Sequence, residues 1–443
     1  MSPEFLLCAP RLWLGGGRWL APGALHVREG RIAALGAPEA FPRGPGAPER
    51  VELVGCALLP GLVNAHAHLE LTGLGGKTAS GADFGRWIQS VVGQRAAMSS
   101  AALEAGALVG ARLLLASGVT TVGDFDATGA AERALTDPAP RPPGAGPLPR
   151  VLLYREVLDA RDPARTAGEI QRLGRPRPGS ESLSRIDRDG LPALPPRRGV
   201  GSQGLGPVLS GLAPHGPHTV SPELLRAVAA ESRREGLPLA IHWAETEEEV
   251  QWLERGGGLF DRLLGPSPRA SGLELLQEAG LLGPALALVH GNLAREDERA
   301  RVSRAGAVLV HCPGTHAFFG RAPFPIEAWR SVGVTVALGT DSLASNVALD
   351  LRRELGQLRS AHPDFPAQEV LEAATVGGAR ALGLQGRVGV LATGAQADLL
   401  AVEAPEQDPL QLLERLASGE FEPQSLWIGG RPVESLPARD SGV

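Results

Sequence analysis

Cysteine is scarce in this sequence, and the three thiols, Cys8, Cys56 and Cys312, lie far apart and are odd in number. That pattern fits a reducing compartment better than a disulfide framework. Positive charge is not in excess either: 43 lysines and arginines face 49 aspartates and glutamates, a net charge of -6 spread along the chain. No basic stripe for nucleic acid and no polybasic membrane anchor is expected, so the default partner is a small-molecule substrate. The start, Met1-Ser2-Pro3-Glu4-Phe5-Leu6-Leu7-Cys8, has neither a basic opening nor a long apolar run. The expectation is a cytoplasmic protein, neither exported nor membrane-inserted. Lysine is nearly missing: Lys77 is the only one.

What is present is an apolar run that ends in chemistry. Leu58-Leu59-Pro60-Gly61-Leu62-Val63-Asn64-Ala65-His66-Ala67-His68 reads as a buried strand, and alternation puts His66 and His68 on one side, where two imidazoles can grip one metal ion. Comparable runs follow at 119–124, 151–156, 208–215, 237–242, 285–290, 307–311 and 334–341, with helical stretches between them. Eight strands of this kind predict an α/β fold, a (β/α)8 TIM barrel over residues 58–384. Most of the runs end in histidine or aspartate, and a parallel barrel gathers those ends on one face.

Short β-like pieces occupy both termini, among them Ala24–Val27 and Arg31–Leu35, joined at Glu29-Gly30, and the stretches 397–402 and 425–433. Neither end has enough strands to close a core, so residues 1–57 and 385–443 are expected to combine into a small β-sandwich module. Residues 172–206, rich in Pro, Gly, Arg and Ser, read as a flexible excursion, and 137–149 as a second loop.

Taken in order, Pro60–His68, Ala213-Pro214-His215, Ile241-His242-Trp243-Ala244-Glu245-Thr246, Val289-His290-Gly291, His311-Cys312-Pro313 and Gly339-Thr340-Asp341-Ser342 resemble the signatures of the amidohydrolase superfamily. They are most similar to its aminohydrolase branch, which deaminates purines, nucleosides and related heterocycles. The resemblance implies that His66, His68, His242 and Asp341 hold one divalent metal ion, zinc first, with iron or manganese as alternatives. Zinc lowers the pKa of a bound water from about 15.7 towards roughly 7. Relatives with two metals bridge them through a carboxylated lysine at a strand end. Lys77 lies in a Gly-rich segment beyond His68, so a single metal is expected.

Glu245, three residues after His242, would then carry a proton from water to a ring nitrogen, help worth about 10²- to 10⁴-fold. By the same resemblance His290 hydrogen-bonds the attacking oxygen, and Asp341 also accepts the proton destined for departing ammonia. Glu247, Glu248 and Glu249 should face water. Substrate contacts are expected from His215, at a position that meets nucleoside hydroxyls, from Trp87, which suits either ring stacking or core packing, and from His316. Arg155 is the candidate for an acidic substrate group, with Arg86 and Arg321 as alternatives, and His218 should orient its loop.

The run Phe84-Gly85-Arg86-Trp87-Ile88-Gln89-Ser90-Val91 and the run Thr315-His316-Ala317-Phe318-Phe319-Gly320 are similar to deaminases of 6-aminodeoxyfutalosine, an adenine nucleoside on a route to menaquinone. His316 stands where guanine and cytosine deaminases more usually carry Ser-Asn. The expected activity is therefore metal-dependent deamination of an adenine nucleoside. Three alternatives stay open: a deaminase of S-adenosylhomocysteine or methylthioadenosine, a triazine chlorohydrolase or cyclic amide hydrolase, and a non-catalytic relative. Enzymes of this type are commonly homodimers.

Overall fold

Eight parallel strands follow one another around a barrel: β1 (Leu62–Ala67), β2 (Val119–Asp126), β3 (Arg150–Val157), β4 (Val208–Pro214), β5 (Leu239–Trp243), β6 (Leu286–His290), β7 (Val308–His311) and β8 (Val336–Leu338). The computed structural model describes residues 4–79, 81, 83–136, 147–175, 208–406 and 408–433. Each strand pairs with the next, and a bridge between Ala67 and Asp341 closes β8 onto β1. Alternate side chains face opposite ways. Val63, Phe125, Tyr154 and Val289 fill the interior, while Leu62, Val122, Leu153 and Leu288 face the outer helices.

The long apolar run before His66 does not form one strand. It divides at Gly61: Cys56–Pro60 belongs to a terminal sheet and only Leu62–Ala67 to the barrel. A Cβ at Gly61 would lie 2.1 Å from Thr120 Oγ1. The chain therefore changes sheets at a point where no side chain fits. The barrel thus begins a few residues after 58. At the other end Val388 still packs with the barrel interior, whereas Leu391 packs in the module, so the change falls a few residues beyond 384.

The termini do combine. Leu399–Glu403 runs antiparallel to Cys56–Pro60, and Arg11–Trp13 flanks Cys56–Pro60 on its other side. A second sheet contains Phe5–Ala9 and the hairpin Gly23–Arg28/Arg31–Gly36, whose turn residues Glu29 and Gly30 both have positive φ. Leu7, Leu25 and Ile32 from this sheet share one apolar cluster with Leu12, Leu58 and Trp427 from the first. A buried ion pair, Arg150 to Asp398 at 3.2 Å, ties the module to β3.

Helix Ser100–Ala116 supports the active face. Ser99 caps it by accepting from the Ala102 N–H, and its buried positions 103, 106, 107, 110, 111 and 114 make a helical stripe. A Cβ at Gly110 would meet Thr72 Oγ1 at 2.3 Å. That absence lets the segment after His68 lie directly on the helix. Among the described residues no single helix is long and apolar enough to cross a membrane. Arg172 and Leu173 close helix Pro163–Leu173 instead of opening the excursion expected from 172, and residues 176–206 of that expectation lie outside the described residues.

Gly61→Ala should lower stability by about 1–3 kcal/mol through overpacking, read as a lower thermal midpoint. Adding Thr120→Ala should recover part of the loss; no recovery would mean that Thr120 is not the obstacle.

Candidate active site

The strand ends bring four imidazoles and two carboxylates together. His66 closes β1 and is fully buried, with both ring nitrogens lacking a hydrogen-bond partner. His68 lies just past the strand. It shares His66's centre, the rings 4.9 Å apart, through a register shift between Asn64 and Ala67 as well as through alternation. His68 Nε2 is 3.3 Å from His242 Nε2, and Asp341 Oδ1 is 3.6 Å from His66 Nε2 and 3.8 Å from His68 Nε2. His242 donates from Nδ1 to the His215 carbonyl at 2.8 Å, which leaves Nε2 with its lone pair towards His68.

Burial, then neighbouring His66 and His290, hold His242 down at about 3. It is neutral at physiological pH. Burial opposes ionisation of Asp341, but His66, His68 and His290 outweigh it and keep its pKa well below the carboxylate range. The buried His66 imidazole beside the neutral imidazoles of His68 and His242 and an ionised carboxylate is a donor set that fits a divalent cation, zinc, iron and manganese all being compatible with nitrogen and oxygen ligands. Ligand atoms of His66, His68 and Asp341 lie within 4.8 Å of one another, as do those of His66, His242 and His290.

Glu245 and His290 stand beside this cluster. His290 Nε2 is 3.6 Å from Glu245 Oε2, and burial above all holds His290 at about 3. The other Glu245 oxygen accepts from Arg321 Nη2 at 3.0 Å. Ala244, His290 and Asp341 all have positive φ, at 50°, 75° and 57°. Such backbone costs about 1–3 kcal/mol per residue and is found where function fixes a side chain. A cavity of about 390 Å³ opens beside Glu245, with Phe84, Asn292, His316, Phe319 and Arg321 among its walls.

The substrate candidates are placed unequally. His215 accompanies His242, ring centroids 5.0 Å apart, and its Nδ1 meets Thr219 Oγ1 at 2.7 Å. His316 lines the cavity while bonding the Ala322 carbonyl at 2.6 Å. Trp87 donates to the Ala344 carbonyl at 2.7 Å and packs edge-on to Phe319. Arg155 turns away: its guanidinium donates to the Arg172 and Arg175 carbonyls on the outside of β3. The apolar run around it gave no sign of which parity faces inward, and the inward residue is Glu156. Arg86 is exposed on its helix. His218 is buried, Nδ1 3.8 Å from Glu249.

Glu249 corrects an expectation. Glu247 and Glu248 face solvent, but Glu249 is 2% exposed and accepts from the Ala244 and Glu245 N–H groups at 3.0 and 2.8 Å. As the third residue of helix Glu247–Arg255, capped by Thr246, it reaches back over the turn and fixes the backbone of Glu245. Burial raises it to about 8. Three acidic residues passed over in the sequence lie buried near one another, with Glu156 within reach of His215 and His242: Glu70 at about 7, Glu156 at about 8, and Asp124, each raised chiefly by burial. Acidic residues at or next to three strand ends were the available signal.

The model of the amidohydrolase family matches residues 57–433. A 5-methylthioadenosine/S-adenosylhomocysteine deaminase of Halobacterium salinarum is 31% identical over 90% of this chain and 87% of its own length. An aminodeoxyfutalosine deaminase of Deinococcus radiodurans is 32% identical over 85% of each chain. Among solved structures, Helicobacter pylori aminofutalosine deaminase with methylthio-coformycin superposes with a TM-score of 0.78 at 21% identity, covering 97% of this chain and 100% of its own. At that identity the likeness concerns the fold.

Glu156 makes stability depend on pH. Its folded pKa of about 8 stands above the usual 4.5, so the folded protein keeps a proton that the unfolded chain releases. That advantage is complete below about pH 4.5 and is lost as pH rises through about 8. The thermal midpoint of metal-free protein should fall more steeply between about pH 5 and about pH 9 than that of Glu156→Gln. Parallel slopes would show that the folded carboxyl is ionised throughout.

Proposed function

The chain belongs to the amidohydrolase family, and from that premise we propose that it is a metal-dependent hydrolase that deaminates an adenine nucleoside. The observation that carries this reading is the joint placement of Glu245 and His290, 3.6 Å apart, against the His66, His68, His242 and Asp341 cluster. A proton carrier, a neutral hydrogen-bonding imidazole and an ionised carboxylate then surround one point, as addition of water to an amidine carbon and loss of ammonia require.

His66, His68, His242 and Asp341 would hold one divalent ion, zinc by first choice, which supplies Lewis-acid activation of water at neutral pH. Glu245 takes a proton from the attacking water and delivers it to the ring nitrogen, making the amidine carbon electrophilic. Neutral His290 hydrogen-bonds the oxygen as it adds. Asp341 takes the remaining proton and passes it to the amine, since an unprotonated amine leaves poorly. Glu249 keeps Glu245 aimed by holding two consecutive backbone N–H groups. His215, packed against His242, would contact the sugar hydroxyls.

For the substrate, 6-aminodeoxyfutalosine is the first choice, which would put the enzyme in menaquinone synthesis. The two runs that favour it, Phe84–Val91 and Thr315–Gly320, contribute Phe84, His316 and Phe319 to one cavity. Relatives named for S-adenosylhomocysteine and methylthioadenosine are equally similar overall, so those nucleosides are the direct competitors.

Metal-loaded protein should release ammonia from 6-aminodeoxyfutalosine faster than from S-adenosylhomocysteine, methylthioadenosine or adenosine. Comparable rates would keep the chemistry and discard the preference, and hydrolysis of triazines or cyclic amides without nucleoside turnover would overturn both. Glu245→Gln should keep its metal and lose about 100-fold or more in kcat; turnover near wild type would remove Glu245 from proton transfer. His66→Ala should lose the metal by elemental analysis, and full occupancy would refute the ligand set.

A further inference from the structure

The backbone and one carboxylate oxygen of Glu245 are held from different sides. Its N–H donates to Glu249 at 2.8 Å, its carbonyl accepts from Asn292 Nδ2 at 3.1 Å, and Oε1 accepts from Arg321 Nη2 at 3.0 Å. Oε2 faces His290 Nε2 at 3.6 Å, on the side of the His66 and His242 imidazoles. Glu249 and Asn292 fix the backbone. Only the contact with Arg321 selects which carboxylate oxygen points inward.

Arg321 is itself braced. Its side chain is largely buried, and its guanidinium carbon stands 4.5 Å from the centre of the Phe319 ring, an attraction between a cation and an aromatic face. Phe319 is buried and packs edge-on to Trp87 at 5.2 Å and against Phe84 at 6.1 Å, so that face is fixed. The His316 carbonyl accepts from the Arg321 N–H at 3.3 Å, and the His316 ring reaches the Ala322 carbonyl through Nε2 at 2.6 Å and stands 3.3 Å from Asn292 Oδ1 through Nδ1. Asn292 thus touches both Glu245 and His316, and the connections after β5, β6 and β7 are tied together around the proton carrier. Among the described residues Glu245 is the one carboxylate within ion-pair distance of Arg321.

A carboxylate free to turn about its last bond offers either oxygen, and a proton taken from water could then end on the oxygen remote from the ring. We propose that Arg321 is a positioning residue that pins Oε1, so that both proton transfers of the deamination pass through Oε2. This rests on the adenine-nucleoside reading and deepens it. In the first transfer a water O–H bond breaks and Oε2–H forms; in the second Oε2–H breaks and the ring nitrogen gains the proton. Glu245 is a carboxylate again at the end, and Arg321 stays a cation throughout. While Oε2 carries the proton, Arg321 faces a neutral carboxyl, and a nearby cation favours the ionised form, which drives the proton on to the ring.

The test measures kcat and KM on metal-loaded wild type, Arg321→Ala and Arg321→Lys, with whichever adenine nucleoside wild type deaminates. Arg321→Ala should lose about 10- to 100-fold in kcat, the scale of one charge-assisted hydrogen bond. KM should stay within about threefold, as for an interaction expressed in the transition state. Arg321→Lys should keep part of the rate. Ethylguanidinium added to Arg321→Ala should restore part of kcat by entering the cavity of about 390 Å³ beside Glu245, and should do nothing for Glu245→Gln. A raised KM with kcat unchanged would overturn the proposal and make Arg321 a substrate contact. A loss of kcat that neither lysine nor ethylguanidinium restores would overturn it as well, leaving Arg321 a part of the loop's folding.

Should wild type deaminate no adenine nucleoside, the nucleoside reading fails, and the hold on Oε1 is decided by crystal structures of metal-loaded wild type and Arg321→Ala. Glu245 should keep Oε2 beside His290 in wild type and turn away from it in the variant. An unmoved carboxylate would end the proposal.

Discussion

The barrel is closed where one backbone carbonyl and one asparagine side chain of β1 meet the end of β8. The His66 oxygen accepts the N–H groups of both Thr340 and Asp341, each at 3.0 Å, where the short strand β8 has otherwise run out. Asn64 supplies the remaining links: its Oδ1 accepts from the N–H groups of His66 and Thr340, and its Nδ2 donates to Thr340 Oγ1 at 2.7 Å. Gly339 must lack a side chain, because a Cβ there would lie 2.8 Å from His66 Cβ. The atoms that join first and last strand thus also set the separation between the imidazoles and Asp341. Loosening the closure would spoil the site before it spoiled the fold.

This arrangement is strained and unsatisfied when considered by itself. Ala244, His290 and Asp341 carry left-handed backbone, and neither buried nitrogen of His66 makes a hydrogen bond, with Asp341 Oδ1 standing 3.6 Å from Nε2. Each such feature costs on the order of 1–3 kcal/mol, so the surroundings must impose it. Glu249 clamps the Ala244–Glu245 turn, and Glu354 accepts from the Gly314 N–H at 2.6 Å and from Asn346 Nδ2 at 2.8 Å, fixing the loops after β7 and β8. Both carboxyls are raised to about 8, chiefly by burial. Acidic side chains that bury this deeply are scaffolding for the two residues that would move protons.

Which parts of this were legible in the sequence follows from what each signal encodes. Strands buried on both faces announce themselves as apolar runs, and their polar ends mark the active face, so His66, His242, His290 and Asp341 could be found without coordinates. The same runs hide parity. Nothing in Val151-Leu152-Leu153-Tyr154-Arg155-Glu156 says which alternate residue points inward, and Arg155 was favoured where Glu156 belongs. Gly61 was hidden for the opposite reason: the sheet change depends on a contact with Thr120, 59 residues away in the chain. Glu249 was masked by its neighbours, since three consecutive glutamates look like a solvated helix start and only the path of the preceding turn selects the one that is buried.

The division of labour between strands and loops also explains why overall similarity does not select a substrate. The imidazoles and carboxylates gathered around His66 sit at or just beyond strand ends, where barrel closure holds them. Residues that line the cavity beside Glu245 sit on the longer connections: Phe84 on the helix after β1, Asn292 after β6, and His316, Phe319 and Arg321 after β7. Those positions are a handful among 443 residues. Two relatives can therefore stand at 31% and 32% identity and carry names for different nucleosides, because identity is counted mostly over the scaffold. The β7 loop is the densest part of that wall, with a cation, an aromatic face and a bracing histidine within six residues.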